Sequence, residues 1–183
     1  LFAYTTNSLL RNNNVTNNGY GIKLLYSSNN GLLGNTLTSN YDGIDLWYSS
    51  NNTFSYNTIT NNDWEGIGLA FSHNNTLSGN TITNNRGGIE LGNSHNNTIT
   101  GNTITGNSEG FFLGESSDNS ITANNVVNNG YGFYLIQRAS NNSIYHNNFI
   151  KNTKQVYFEI SGYANVWDDG YPSGGNYWDD YTG

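Results

Sequence analysis

Carboxylate side chains recur at intervals of about 22 residues in the central part of the chain. They belong to Asp42, Asp45, Glu65, Glu90 and Glu109. Enzymes that hydrolyse sugar chains use two carboxyl groups roughly 5 to 10 Å apart. If consecutive repeats stack at the spacing of β-strands, Asp42 and Glu65 lie near the lower limit. Asp45 and Glu90, two repeats apart, lie near the upper limit. The candidate catalytic residues are therefore Asp42, Asp45, Glu65 and Glu90.

Aromatic residues and one arginine occur at neighbouring positions of the same repeats. Aromatic rings provide flat surfaces for sugar faces, and charged groups hydrogen-bond sugar hydroxyls. The candidate carbohydrate-binding residues are Tyr41, Trp64, Glu65, Arg86, Glu109, Phe112 and Tyr134. A plain solvated acidic edge is the alternative, with Arg86 stacked on Trp64 and paired with Glu65. Catalysis, passive glycan binding and plain surface all stay open.

Two histidines occupy the same position in consecutive repeats. His73 and His95 are followed one repeat later by Asp118. Two imidazoles and a carboxylate can bind a transition metal. However, His146 lies at a different repeat position, and the chain has no Cys or Met. Surface stacking of the two imidazoles is therefore the competing interpretation.

The C-terminal segment YANVWDDGYPSGGNYWDDYTG is rich in aromatic residues and aspartates. We expect no cofactor, except that the aspartates of this segment are candidate ligands for a hard cation such as calcium. They are Asp168, Asp169, Asp179 and Asp180. The alternative is a cap in which aromatic side chains cover the apolar end of the last repeat. Those aromatic residues are Trp167, Tyr171, Tyr177 and Trp178.

Five N-x-S/T sequons occur in the chain. They begin at Asn14, Asn51, Asn74, Asn96 and Asn141. The last four share one repeat position, so attached glycans would form a stripe along the molecule. Alternatively, NNT is simply the sequence that the repeat uses at one of its corners.

These residues are positioned by an internal repeat of 22 or 23 residues. The segment at 74–95, NNTLSGNTITNNRGGIELGNSH, is followed by NNTITGNTITGNSEGFFLGESS at 96–117. About seven repeats begin near Thr6, Asn29, Asn51, Asn74, Asn96, Asp118 and Asn141. Each contains three short β-type segments, which can form strands only by pairing with the next repeat.

Apolar residues form four columns through the repeats, starting at Leu9, Val15, Ile22 and Leu24, and two asparagine columns start at Asn7 and Asn12. The last two apolar columns are two residues apart, which is the period of a strand with one buried face. The pattern predicts an all-β protein, a right-handed single-stranded parallel β-helix with about seven turns and three short strands per turn. We expect the β-helix at 1–160 and the cap segment at 161–183.

The recurring NNTI-x-x-NTIT-x-N and G-I-x-L segments over 6–158 resemble the NosD-like repeats of carbohydrate-binding and sugar-hydrolysis domains. The C-terminal segment resembles a motif that follows such repeats in archaeal and bacterial surface proteins. The resemblance implies the β-helix fold. It implies little about function, because lyases, hydrolases, epimerases, adhesins and a copper-site maturation protein share these repeats.

Composition excludes several partners. The net charge is −7, with only six Lys and Arg, so we expect no nucleic acid and no anionic membrane surface as a partner. There is no run of 18 apolar residues, so direct membrane insertion is not expected. The opening LFAYTT reads as the tail of an earlier repeat, which indicates a mature or excised fragment.

We expect an extracellular or cell-surface module, with the periplasm as the alternative location. Its expected role is structural, adhesive or polysaccharide-binding, with a polysaccharide or cell-envelope glycan as partner. Exposed strand edges at the ends of the β-helix predict end-to-end self-association. The alternative is a polysaccharide-modifying hydrolase, lyase or epimerase, and a second alternative is a NosD-like copper-handling accessory protein.

Overall fold

The computed structural model describes residues 2–136, 138–159 and 163–181, and it is built from short parallel strands. Each turn contributes three strands, and each strand pairs in parallel with its counterpart one turn further along the chain. Three sheets of eight, seven and eight strands result. The predicted parallel β-helix of about seven turns is therefore confirmed. Within the described residues, no helix is long and apolar enough to cross a membrane.

The three sheets differ in strand length, and sheet 1 holds the longest strands. Sheet 1 contains Phe2–Ala3, Tyr20–Leu25, Asp42–Trp47, Glu65–Ala70, Gly87–Gly92, Glu109–Gly114, Tyr131–Leu135 and Lys154–Phe158. Sheet 2 contains Leu9–Arg11, Gly31–Leu33, Thr53–Ser55, Thr76–Ser78, Thr98–Thr100, Ser120–Thr122 and Ser143–Tyr145. Sheet 3 contains Asn14–Thr16, Thr36–Thr38, Thr58–Thr60, Thr81–Thr83, Thr103–Thr105, Asn125–Val127, Asn148–Ile150 and Tyr177–Trp178.

The core is a set of apolar columns inside the coil. Ile44, Ile67 and Ile89 pair in register in sheet 1, and all three are fully buried. One predicted column begins one residue too early. Leu10, rather than Leu9, pairs with Leu32 and packs against the core, while Leu9 is 60% exposed. In the Leu-Leu pair, only the second side chain points inward, because successive side chains alternate between faces.

Asparagine ladders run along all three corners. In the second ladder, Asn57 donates through its backbone N–H (3.0 Å) and its Nδ2 (2.9 Å) to Oδ1 of Asn80. Two ladders were predicted, but they begin at Ser8 and Asn13, one residue later than expected. The third ladder was missed; it includes Asn40, Asn62, Asn85, Asn107, Asn129 and Asn152. Every buried side-chain polar atom in the described ranges has a hydrogen-bond partner.

The C-terminal segment continues the coil for part of a turn. Asn165 and Asn176 extend the first and second ladders. Trp178 stacks on Phe149 with ring centroids 4.5 Å apart, and Trp167 also packs against the core. The predicted boundary between 160 and 161 lies outside the described residues.

Two of the four aromatic residues expected in the cap do not cover the core. Tyr171 is fully exposed and Tyr177 is 57% exposed. Tyr177 lies next to Trp178 in a strand, so its side chain points to the opposite face.

Candidate functional site

A groove runs over the outer face of sheet 1, where the six-residue strands expose a regular column of side chains. From one turn to the next, Asp45 pairs with Gly68 and Gly68 with Glu90. Two pockets of about 390 and 230 Å³ adjoin there and share Glu65 and Glu90 in their linings. We call the two pockets together the acidic groove.

The larger pocket collects most of the predicted carbohydrate-binding residues. It is lined by Trp64, Glu65, Arg86, Gly87, Glu90, Glu109, Phe112 and Tyr134. Tyr41 does not line it but stacks on Trp64, with ring centroids 6.0 Å apart. The sequence spacing correctly predicted that these residues lie together. Strands of neighbouring turns pair in register, so residues 22 or 23 apart are direct neighbours.

The centre of the groove is a pair of carboxyl groups, from Glu65 and Glu90, that share a hydrogen bond. Gly68 makes this contact possible. A Cβ atom at Gly68 would collide with Oε2 of Glu65, so the missing side chain is what lets Glu65 lie over the strand. The four residues from Glu65 to Gly68, at the start of the strand Glu65–Ala70, thus set the position of the pair.

Burial is the main cause of the unusual protonation of this pair. Loss of solvent, followed by the charge of Glu90, raises the pKa of Glu65 to about 9. Burial also raises the pKa of Glu90, while the hydrogen bond from Glu65 acts to lower it. Glu65 therefore holds the shared proton near neutral pH, and Glu90 accepts the hydrogen bond.

The other two catalytic candidates are engaged with different partners. Asp42 accepts a hydrogen bond from the backbone N–H of Glu65 at 3.3 Å. Asp45 forms an ion pair with Lys23, whose Nζ lies 2.6 Å from Oδ2. Burial is the largest influence on the pKa of both carboxyl groups and raises it. Lys23 also lies 3.9 Å from the ring centroid of Tyr20.

Arg86 lies over the ring of Trp64, with its guanidinium carbon 3.6 Å from the ring centroid. The stacking expected from the sequence is therefore present. The expected ion pair with Glu65 is not, since Lys23–Asp45 is the one salt bridge among the described residues. Stacking holds the guanidinium at the pocket edge, where its charge acts to lower the pKa of Glu90 and Glu109.

The two predicted metal-binding histidines are part of another ladder. Their rings stack with centroids 5.1 Å apart. Nδ1 of His73 accepts the backbone N–H of His95 at 3.1 Å, and Nδ1 of His95 accepts that of Ser117 at 3.0 Å. Asp118 instead accepts hydrogen bonds from Ser117 and Asn141. Where the structure describes the chain, no three His, Asp or Glu side chains are placed to hold a metal ion.

The aspartates of the C-terminal segment have separate hydrogen-bond partners. Asp168 accepts the N–H of Gly170, and Asp169 accepts the hydroxyl of Ser173. Asp179 accepts from the backbone of Lys151 and from Nε2 of Gln155. Asp180 is exposed. Calcium binding by this segment stays a prediction.

Four of the five sequons lie at one exposed corner. Asn51, Asn74, Asn96 and Asn141 all have positive φ, between 55° and 59°. Asn14 is exposed at the start of a strand in sheet 3. Glycosylation at these five positions stays a prediction.

A family model described as periplasmic copper-binding protein (NosD) matches the chain over residues 1–183. The chain belongs to the NosD family. A comparison with curated proteins gave no match.

Solved structures similar to this NosD-family chain have the same fold. The A-module of the mannuronan C-5 epimerase AlgE4 from Azotobacter vinelandii is 18% identical, with a TM-score of 0.75 over 86% of this chain and 52% of that one. The AlgE6 A-module from the same organism is 19% identical, with a TM-score of 0.73 over 90% and 52%. The pectate lyase Pel9A is 19% identical, with a TM-score of 0.63 over 87% and 49%. The chain thus spans about half the length of these structures, and at these identities the likeness shows the fold alone.

Two groove residues of the NosD-family chain were missed from the sequence. Trp47 lines the smaller pocket and is 43% exposed, and Gly68 forms its floor. A signal for Gly68 was present, because the other turns carry larger side chains at that outward position. The same kind of signal was present for Trp47, since its position in later turns holds the small residues Ala70, Gly92 and Gly114.

Proposed function

We propose that this NosD-family β-helix is a polysaccharide-binding module that works outside the cytoplasm, in the periplasm or at the cell surface. The observation that carries the proposal is the acidic groove itself. Two adjoining pockets combine partly exposed tryptophan rings with a dense set of hydrogen-bonding groups. Sites for small polar ligands are concave and place a few polar groups among apolar rings.

In this proposal the side chains of the groove act as hydrogen-bond donors, as acceptors or as aromatic surfaces for the sugar. The guanidinium of Arg86 donates to sugar oxygens, and Glu90 and Glu109 accept from sugar hydroxyls. Arg86 covers one face of Trp64. Tyr41 also stacks on Trp64. In this proposal the rings of Trp47 and Phe112, at opposite ends of the groove, contact sugar faces.

Binding to a panel of neutral, acidic and amino-sugar polysaccharides tests the proposal by affinity electrophoresis and calorimetry. Trp47→Ala should weaken binding of the preferred polysaccharide by about tenfold or more. Tyr56→Ala is the matched control, because Tyr56 is 72% exposed and lies outside the groove. If no polysaccharide binds, or if both variants weaken binding equally, the proposal is wrong.

The second candidate is a polysaccharide-modifying enzyme, favoured by the carboxyl pair of Glu65 and Glu90. A proton held near neutral pH beside an ionised carboxylate suits general acid catalysis. Glu65 would be the acid and Glu90 the base of a lyase or epimerase, because their hydrogen-bond contact is closer than the roughly 5 to 10 Å that glycoside hydrolases use. Asp42 and Asp45 would support the raised pKa of Glu65. Reducing-end and unsaturated-product assays on the same panel test this candidate. Activity that Glu65→Gln abolishes while binding persists would favour it over passive binding.

Copper handling is suggested by the description of the NosD family, but the described residues do not fit a copper centre. Both His73 and His95 use Nδ1 as a hydrogen-bond acceptor, which places the ring proton on Nε2, so neither ring nitrogen has a free lone pair for copper. The chain also has no Cys or Met to complete a site. Copper loading followed by elemental analysis tests this, and copper retention lost in His73→Ser and His95→Ser would reverse the conclusion.

A further inference from the structure

The charges of the acidic groove are unbalanced. Four carboxyl groups line it, from Asp45, Glu65, Glu90 and Glu109, and Asp42 lies beside them, bonded to the backbone N–H of Glu65. Among the residues that the structure describes, only Lys23 and Arg86 supply positive charge to these groups. Lys23 is already paired with Asp45. A ligand that brings further negative charge would meet desolvated carboxyl groups, whereas a positive ligand would be attracted.

Next to the groove, the ammonium group of the Lys23 side chain is paired with Asp45, and its surroundings show how a ligand ammonium would be held. Nζ of Lys23 lies 2.6 Å from Asp45, 3.9 Å from the ring centroid of Tyr20 and 5.9 Å from that of Trp47. This combination of a carboxylate and aromatic faces is a favourable setting for an ammonium group. Asp45 is adjacent, in the outward column of sheet 1, to the Gly68 position over which Glu65 lies.

The carboxyl pair beyond Gly68 forms no ion pair with any cation in the described part of the chain. Glu65 and Glu90 both line the two pockets, so their contact faces the space that a ligand would occupy. In place of a cation, they share a hydrogen bond. An ammonium group has three donors and can bond both carboxylates at once, which would release the shared proton.

We propose that the acidic groove selects polysaccharides with free amino groups, and that an ammonium of the sugar chain binds between Glu65 and Glu90. This inference rests on the proposed polysaccharide binding and specifies its ligand class. Trp47 and Phe112 contact the sugar rings on either side, while the carboxyl pair distinguishes an amino group from an acetamido or carboxylate group.

Calorimetry with three oligosaccharides of equal length tests the proposal at about pH 6, where amino sugars carry positive charge. They are a glucosamine oligomer, an N-acetylglucosamine oligomer and a uronic acid oligomer. The glucosamine oligomer should bind about tenfold or more tighter than its acetylated counterpart. Its binding enthalpy should change with the ionisation enthalpy of the buffer, because the carboxyl pair releases a proton. Equal affinities, or tightest binding of the uronic acid oligomer, would overturn the proposal.

Two variants separate specific recognition from general charge attraction. Glu90→Gln should reduce the preference for the glucosamine oligomer to about threefold or less, while Glu115→Gln should preserve it. Glu115 is an exposed carboxylate outside the groove. A lysine oligomer of equal charge should compete weakly, and full competition by it would contradict sugar selectivity.

The outcomes also distinguish this inference from the proposed function. If both glucosamine-based oligomers bind equally and Trp47→Ala weakens both, the amino-group inference fails and polysaccharide binding stands. If none of the three binds and the polysaccharide panel also fails, both are wrong.

Discussion

At the scale of single residues, the missing side chain of Gly68 arranges the carboxyl groups of the groove. The sequence correctly placed Glu65, Arg86 and Glu109 on one face, because the repeat makes them neighbours. It could not predict that Glu65 contacts Glu90 while Asp42 binds a backbone N–H. That choice depends on side-chain rotamers and on the space above Gly68, neither of which is visible in the repeat pattern.

Gly68→Ala should separate the two carboxyl groups, because the new Cβ would collide with Oε2 of Glu65. Displaced into solvent, Glu65 should titrate several pH units below the value of about 9 in the wild type. NMR titration of the glutamate side-chain carbons measures this change. Gly92→Ala is the control, since a Cβ there has no contact closer than 3.9 Å. An unchanged pKa of Glu65 in Gly68→Ala would contradict the role assigned to the glycine.

At the scale of the elements, the corners of the coil are held by side-chain ladders. The sequence revealed the ladders within the repeated NNT and GNT motifs. It did not reveal the third ladder, because different residues follow its asparagines in each turn, as after Asn40, Asn62 and Asn85. The off-by-one starts at Ser8 and Asn13 have a similar cause, since runs of like residues in the first repeat do not fix the register.

Asn80→Ala should destabilise the fold by about 3 kcal/mol or more, because several buried groups lose their partners at once. Asn80 accepts two hydrogen bonds from Asn57, and its Nδ2 donates to Asn102 and to the backbone of Phe54. Urea denaturation measures the free energy of unfolding. Thr81→Ala, one residue along on an exposed position, should cost less than about 1 kcal/mol. Similar losses in both variants would contradict the importance of the ladder.

The histidine ladder should make the fold sensitive to acid. Burial, followed by the neighbouring His95, lowers the pKa of His73 below its usual 6.5. Neutral His73 therefore contributes to stability above about pH 6.5, its pKa in the unfolded chain. This contribution is lost as the pH falls from there through the lower pKa of His73 in the folded protein. The wild-type Tm should drop more between pH 7 and pH 5 than that of His73→Ser. Serine is a suitable replacement, because Ser50 occupies the same position one turn earlier and accepts the backbone N–H of His73. Parallel pH profiles would rule out this role for His73.

At the scale of the whole molecule, the fold was predictable because one periodicity governs almost every residue. Each turn stacks on its neighbours and buries its apolar residues against them. The repeat alone therefore predicts which residues lie in contact. The C-terminal segment was harder to predict, since its sequence does not follow the repeat of 22 or 23 residues. Its two tryptophans pack on the core end, while the tyrosines around them are exposed.

Trp178→Ala should destabilise the molecule by about 3 kcal/mol and expose the end of the core. Its ring stacks on Phe149, which is fully buried. Urea denaturation measures the loss, and increased binding of a hydrophobic dye reports the exposed core. Tyr171→Ala is the control, because that side chain is already fully exposed. No difference between the two variants would show that the tryptophan does not seal the core.

The asparagine ladders have a direction, because each Oδ1 accepts from the turn before it and each N–H donates to the turn after it. Every internal turn therefore presents the same donors on one side and the same acceptors on the other. A whole turn can then be treated as an interchangeable cassette, duplicated or excised without leaving any ladder group unpaired. Gene duplication of single turns is a simple route by which such a protein could lengthen its groove or bring new side chains beside the carboxyl pair.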